Sequence, residues 1–303
     1  MVFNIATPHH SCHNGSRAPY RRRSMMNMHN RFGCSLWLVV GRAVLFIVSC
    51  ALALVVLGAV MPKRAGHGTQ SVVGMVSCVW AYALTLVFAR WEGLSLEDVG
   101  AALRWRSLLR FGVGFAIGLL LVGASSSIPA IAGDLRWVRV SDIRWSSLPV
   151  AFFAYLLLST REELAFRGYP LRSLQRTFGV CFAQFMIAVL FAAEHRLGGS
   201  DWLRALLGAG MGSLLFGMAA IATNGLAMPI GIHAAWNFGQ WLIGLKEQPG
   251  MLTAIVEKGN EQHAEIVGFS SYLAVMGLAT ASFCLWHIYR RRFNETECAA
   301  ATA

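Results

Sequence analysis

The sequence predicts an all-α fold: a polytopic transmembrane helical bundle of about eight spans. Two observations carry this. The 303 residues are 56% hydrophobic and only 14% charged, with a mean hydropathy of +0.53. A soluble domain averages about 25% charged, so this chain has too few polar residues to cover a water-facing surface. The apolar residues also come in runs, at about 35–61, 70–90, 107–132, 147–167, 179–196, 202–222, 227–245 and 267–289. As helices these are long enough, or nearly so, to cross ~30 Å of hydrocarbon.

Residues 1–34 precede the first run. They are basic, with no apolar core of a cleaved signal, and are expected to form a disordered cytoplasmic tail. The tail holds His9, His10, Cys12 and His13, a grouping that arises readily by chance in such segments. Residues 35–293 are expected to form the bundle, with its motif-bearing core at about 147–245, and 294–303 a short C-terminal tail. The polar connections are short, which leaves no room for a separate soluble domain.

The net charge of +11 does not indicate nucleic acid. The basic residues flank the apolar runs (Arg21–Arg23, Arg104, Arg106, Arg110, Arg290–Arg292), where they meet anionic headgroups. Lys and Arg total 14 on the side of the two termini and 9 on the other, which puts both termini in the cytoplasm. The seven cysteines are single and odd in number, with no C-x-x-C, so neither a disulfide framework nor a structural zinc is expected.

Three connecting features read as structural. Ser95 and Asp98 have capping-box spacing and are expected to start an interfacial helix. Gly208-x-x-x-Gly212 is expected to bring two helices close together. The acidic loop at about 246–266 is expected to be a solvated surface.

The informative residues are ionisable groups inside the apolar runs. A carboxylate near the bilayer centre costs roughly 2.5–3.5 kcal/mol on insertion scales, so such groups tend to be functional. Arg42 and His287 stand alone or near span ends and are set aside as snorkelling residues. The others cluster in three runs. Glu163 and Arg167 are spaced i,i+4 with the acid first, the favourable order for a helical ion pair. Glu162 points about 100° away and has no such partner at that spacing, which leaves it free to act as a base. The competing reading makes both carboxylates structural ties to Arg161 and Arg167.

Phe191 and His195 share a face at i,i+4. The fourth and fifth runs are expected to form an antiparallel hairpin turning near Thr177–Gly179. Glu162 and His195 each lie ~25 Å from that turn, and so at matching depth. In the seventh run His233 and Asn237 present two hydrogen-bonding groups on one face. A buried carboxylate can take a proton from water, and the imidazole and amide can supply donors to a developing oxyanion.

Together these elements resemble the CPBP family of intramembrane proteases, which includes CAAX prenyl endopeptidases and Abi-type bacterial proteins. The family pattern is E-E-x-x-x-R, then F-x-x-x-H, then H-x-x-x-N or D. It is matched by Glu162-Glu163-Leu164-Ala165-Phe166-Arg167, by Phe191 to His195, and by His233 to Asn237. The motifs cover about residues 159–240.

The resemblance implies an intramembrane endopeptidase acting on membrane-associated, lipid-anchored or CAAX-like peptides, in contact with membrane lipids. The expected location is a bacterial cytoplasmic membrane. Glu162 with His195 would activate water, His233 and Asn237 would hold the oxyanion, and Glu163 with Arg167 would give structural support. No cofactor is the favoured reading. The alternative is a zinc metalloprotease with His195, His233 and Glu162 as ligands, although no H-E-x-x-H is present. Glu194 beside His195 and Arg161 beside Glu162 depart from the pattern and would tune their neighbours. The rival functions are a non-catalytic immunity or binding protein of the Abi type, and a transporter with a Glu162–His195 proton relay.

Overall fold

A computed structural model describes residues 36–60, 66–141, 144–246 and 250–302, with side chains through 297. The N-terminal tail and its histidine cluster lie outside the described residues, and so does Glu247. The chain runs through α1 (Leu36–Ala59), α2 (His67–Trp91), α3 (Trp105–Ile131), β1 (Leu135–Arg139), α4 (Ser147–Arg167), α5 (Tyr169–Phe178) and α6 (Val180–Leu197). A π-helical stretch (Arg204–Ala209) leads into α7 (Gly210–Thr223), followed by α8 (Ala227–Leu242), β2 (Leu252–Val256) and α9 (Glu261–Thr302).

Among the described residues six segments are long and apolar enough to cross a membrane: α1, α2, α3, α6, Arg204–Thr223 and the apolar length of α9. The remaining two predicted spans, α4 and α8, are the helices that carry most of the polar residues. Arg161, Glu162, Glu163 and Arg167 crowd the end of α4, and α8 has only 16 residues. Both are shielded by neighbours: α8 packs on α3, α4 and α7, and α4 on α2 and α8. A helix that lipid does not surround can afford polar side chains.

Glycines set the closest approach. A side chain at Gly114 or Gly118 of α3 would collide with the Met228 or Ile232 carbonyl, and one at Gly231 of α8 with the Phe111 carbonyl. The α3–α8 contact is therefore nearly backbone to backbone. Gly118 is the central residue of α3. Its contact with Ile232 places the neighbouring His233 near the middle of the bundle.

Gly208 and Gly212 face the packed neighbour α9, as expected, but what meets them there is the Phe269 ring and the Tyr272 hydroxyl rather than backbone, and that hydroxyl donates to the Gly208 carbonyl at 2.6 Å.

The fourth and fifth predicted spans do form a hairpin. Gly168 (φ −70°, ψ −118°) breaks the first arm into α4 and α5, and Pro170 falls in the first turn of α5, where its missing N–H costs nothing. Gly179 (φ +85°) makes the turn into α6, a conformation that favours glycine.

The two ends of the bundle are tied differently. At one end Arg172 donates to the Ala220 carbonyl, which also accepts from the Gly225 N–H, and Arg290 donates to the Ala222 carbonyl in the last turn of α7. Nearby, Ser95 and Asp98 bond reciprocally as expected, but they close a turn rather than start a helix, and Arg176 reaches Asp98 at 2.6 Å.

At the other end β1 and β2 form an antiparallel two-stranded sheet, with Trp137 opposite Ala254. This corrects the reading of 246–266 as a plain solvated loop, since part of it is a strand. The buried Asp134 accepts from His263 there at 2.8 Å. Arg42 is also less solitary than expected. It lies over the Trp91 ring and 3.5 Å from Glu92, which in turn accepts from Tyr169 and Ser173.

Candidate active site

The last turns of α4 place four charged side chains in the protein interior, and the structure shows what receives each. Glu163 and Arg167 are both fully buried. Arg167 lies 3.5 Å from Glu163 Oε1, at the outer limit of a hydrogen bond. The guanidinium is caged by aromatic faces, with the rings of Phe191, Phe216 and Phe166 at 4.4, 5.5 and 5.6 Å. Three ring quadrupoles thus share its stabilisation with one carboxylate.

The nearer partner of Glu163 comes from α8. His233 Nδ1 is 2.8 Å from Glu163 Oε1, and its ring stacks on Phe216 with centroids 4.3 Å apart and planes at 14°. The carboxylate fixes one nitrogen and the phenyl face fixes the ring plane. The other nitrogen, Nε2, then points at Glu162 Oε2 across 3.6 Å.

Glu162 is not free of partners in its own helix, which corrects the expectation from spacing alone. Arg161 Nη2 donates to Glu162 Oε1 at 2.8 Å, while Nη1 donates to Glu194 Oε1 at 2.7 Å. One buried guanidinium therefore bridges two carboxylates from α4 and α6. Glu194 is tied to this bridge rather than to the adjacent His195. An adjacent-residue pair has no helical spacing rule, which is why the sequence gives it little weight.

His195 ends α6 with its ring against Phe191, centroids 4.4 Å apart. Its Nδ1 lies 3.0 Å from the Phe191 carbonyl, which only an N–H on Nδ1 can satisfy. In the neutral ring Nε2 is then the lone-pair nitrogen. The neighbouring Glu194 shares the Arg161 guanidinium with Glu162.

Asn237, one turn beyond His233, donates from Nδ2 toward Ser159 Oγ at 3.4 Å. Its Oδ1 accepts from Lys246 Nζ at 3.2 Å. Burial pushes the Lys246 ammonium below the ordinary lysine range, and the Glu162 charge opposes that shift. Ser159 and Lys246 have no counterpart in the sequence reading. Ser159 could have been found on the face of Glu163 at i,i+4, whereas Lys246 carried no signal beyond being a lysine in an acidic loop.

Residues 144–239 match the family model of type II CAAX prenyl endopeptidase Rce1-like proteins. That stretch belongs to the Rce1-like family. It spans α4 to most of α8 and so holds Glu162, Glu163, Arg167, His195, His233 and Asn237, while Lys246 and both strands lie outside it. Together with six membrane-length apolar helices, the match makes the chain a multi-pass integral membrane protein. No curated protein matches the chain.

Proposed function

We propose that the chain is an intramembrane endopeptidase that hydrolyses peptide bonds of CAAX-like or other membrane-associated substrates by a glutamate-activated water. The observation that carries this is the contact series Glu163–His233–Glu162 at mid-bundle depth, with Arg161 behind Glu162 and Asn237 one turn from His233.

Glu162, Glu163 and Glu194 stand with Arg161, Arg167 and the nearby Lys246, three acids with three cations in one polar cluster. In the proposed reaction His233 acts as the imidazolium, with Nδ1–H on Glu163 and Nε2–H facing the space beside Glu162. A water off the line between Nε2 and Oε2 can bond to both across 3.6 Å.

In the reaction the water oxygen attacks the scissile carbonyl carbon while Glu162, assisted by His195 Nε2, takes the water proton. The carbonyl π electrons move to oxygen, and this oxyanion is held by Asn237 Nδ2–H and His233 Nε2–H. When the C–N bond breaks, the leaving nitrogen takes the proton back, which regenerates the carboxylate. Arg161 positions Glu162, and because it is shared with Glu194 its charge weakens the base less than a private pair would.

The metal-free reading is favoured here: among the described residues no three His, Cys, Asp or Glu side chains converge as a metal site, and Arg161 already holds one oxygen of Glu162.

The test is cleavage of an internally quenched, prenylated CAAX-type peptide by the purified protein in liposomes. Glu162→Gln and His195→Ala are each expected to lower kcat by roughly 10²–10⁴-fold, with unfolding midpoints near wild type. A folded Glu162→Gln protein that cleaves at the wild-type rate would overturn the mechanism. Wild-type protein that cleaves no membrane peptide would overturn the function.

A further inference from the structure

The two-stranded sheet and the turn after α8 take no part in the mechanism above, yet they end at the site. α8 stops at Leu242, and Gly244 (φ +75°) reverses the chain. A side chain there would collide with the Leu252 carbonyl of β2. Three hydrogen bonds brace this turn. Trp137 Nε1 on β1 donates to the Ile243 carbonyl at 3.1 Å, the Met251 N–H to the Leu242 carbonyl at 3.0 Å, and the Leu245 N–H to the Gln240 carbonyl at 2.8 Å. The braced turn sends Lys246 back along α8 to Asn237 Oδ1.

An ammonium only donates, so it accepts just one of the two orientations of a carboxamide, the one with Oδ1 facing it. Nδ2 is then turned the other way, toward Ser159 on the face of α4 that also carries Glu162 and Glu163. Rotation of the amide by 180° would present a carbonyl oxygen to a developing oxyanion, which repels it. Among the described residues, no other hydrogen bond to the Asn237 side chain selects between these states. The Ser159 hydroxyl can donate or accept, and so tolerates either.

The geometry points to Lys246 as a positioning residue: held by the β1–β2 sheet, it fixes the amide of Asn237 so that Nδ2–H faces the reacting carbonyl. This rests on the reading of Asn237 as an oxyanion donor, and it extends the working site beyond the Rce1-like segment into residues 135–139 and 243–256.

The test uses the full-length protein, the quenched prenylated peptide, and the Asn237 side-chain ¹⁵N–¹H resonances assigned through Asn237→Ala. Loss of an oxyanion donor costs about 10²–10³-fold in kcat, so loss of the group that aims it should cost roughly 10–100-fold. Lys246→Met is expected to show that fall in kcat with KM within about twofold of wild type, as befits an interaction made only in the transition state. Lys246→Arg, which keeps a donor-only cation, should recover much of it. Trp137→Phe, which removes one brace, should move kcat in the same direction by less. The Asn237 resonances should shift in Lys246→Met and stay near wild type in Lys246→Arg.

A Lys246→Met protein with wild-type kcat beside a crippled Asn237→Ala protein overturns the proposal, and so do unmoved Asn237 resonances in Lys246→Met. If wild-type protein proves inactive, the proposed function falls, while the resonances still decide whether Lys246 sets the amide.

Discussion

Replacing Arg167 by Met tests whether the motif's arginine is a structural counter-charge. The variant keeps an unbranched chain of similar length in the aromatic cage but leaves Glu163 fully buried without its cation. Removing one partner of a buried pair costs about 3–5 kcal/mol. Two features place the value here toward the lower end. The pair is long, at 3.5 Å, and Glu163 keeps His233 Nδ1 at 2.8 Å. The loss of cation–π contact with three rings adds to the cost, partly offset by methionine packing on the same faces. The expected destabilisation is about 3 kcal/mol, roughly a hundredfold in the folded-to-unfolded ratio. Reversible SDS unfolding in mixed micelles, followed by tryptophan fluorescence, reads it directly. Arg167→Met/Glu163→Gln should regain most of the loss, because the stranded charge is gone. An Arg167→Met protein within about 0.5 kcal/mol of wild type would refute the reasoning, since that is the scale of an ordinary surface substitution.

Three further outcomes are expected. Gly118→Leu forces a side chain into the Ile232 carbonyl and should destabilise by about 3 kcal/mol or more in the same unfolding assay, since the obstacle is backbone rather than a movable side chain. Asp98 is partly buried, which alone would raise its carboxyl. Bonds from the Ser95 N–H and hydroxyl and from Arg176 outweigh this and hold it below the ordinary carboxylate range. The unfolded chain therefore binds more protons in that window, and stability should fall as pH drops through it; Asp98→Asn should flatten the dependence in unfolding midpoints measured from pH 6 to pH 3. Glu194→Gln leaves Arg161 wholly to Glu162, so peptide cleavage should drop by roughly 10-fold with little change in fold, and a variant as fast as wild type would show that the bridge does not weaken the base.

The sequence made the helical part of this structure legible because lipid imposes one long apolar run per crossing. The α4–α6 hairpin was equally open to reading, since Gly179 marks a turn and the residue count on either side equalises depth. Helical spacing also told which groups share a face: Glu163 with Arg167, Phe191 with His195, His233 with Asn237. Spacing cannot tell which face of one helix meets which face of another. That is why Phe216, stacked on His233, and the glycines that seat α8 on α3 were not seen. The Gly208/Gly212 spacing likewise marks a packed face without saying what meets it, since a stripe of small residues admits a ring as readily as a backbone. The sheet was hidden by distance along the chain. Each strand is five residues long, and its partner lies beyond five intervening helices and a π-helical stretch.

The structure also changes how the paired glutamates divide their work. Helical spacing gives Glu163 to Arg167 and leaves Glu162 alone. Distance gives Glu163 first to His233, at 2.8 Å against 3.5 Å, and gives Glu162 to Arg161. Neither carboxylate is then a spare charge waiting in the bilayer. Glu163 sets the ring of His233, and Arg167 lies beside it in its cage of phenylalanine faces. Glu163 and Glu194 each keep an oxygen without a partner, but only Glu162 turns its second oxygen toward His233 Nε2: Arg161 holds Oε1, and Oε2 stands 3.6 Å from that nitrogen. A base needs a held orientation and a free lone pair together. Of the three carboxylates in the cluster, only Glu162 has one oxygen held by a guanidinium and the other facing His233 at that separation.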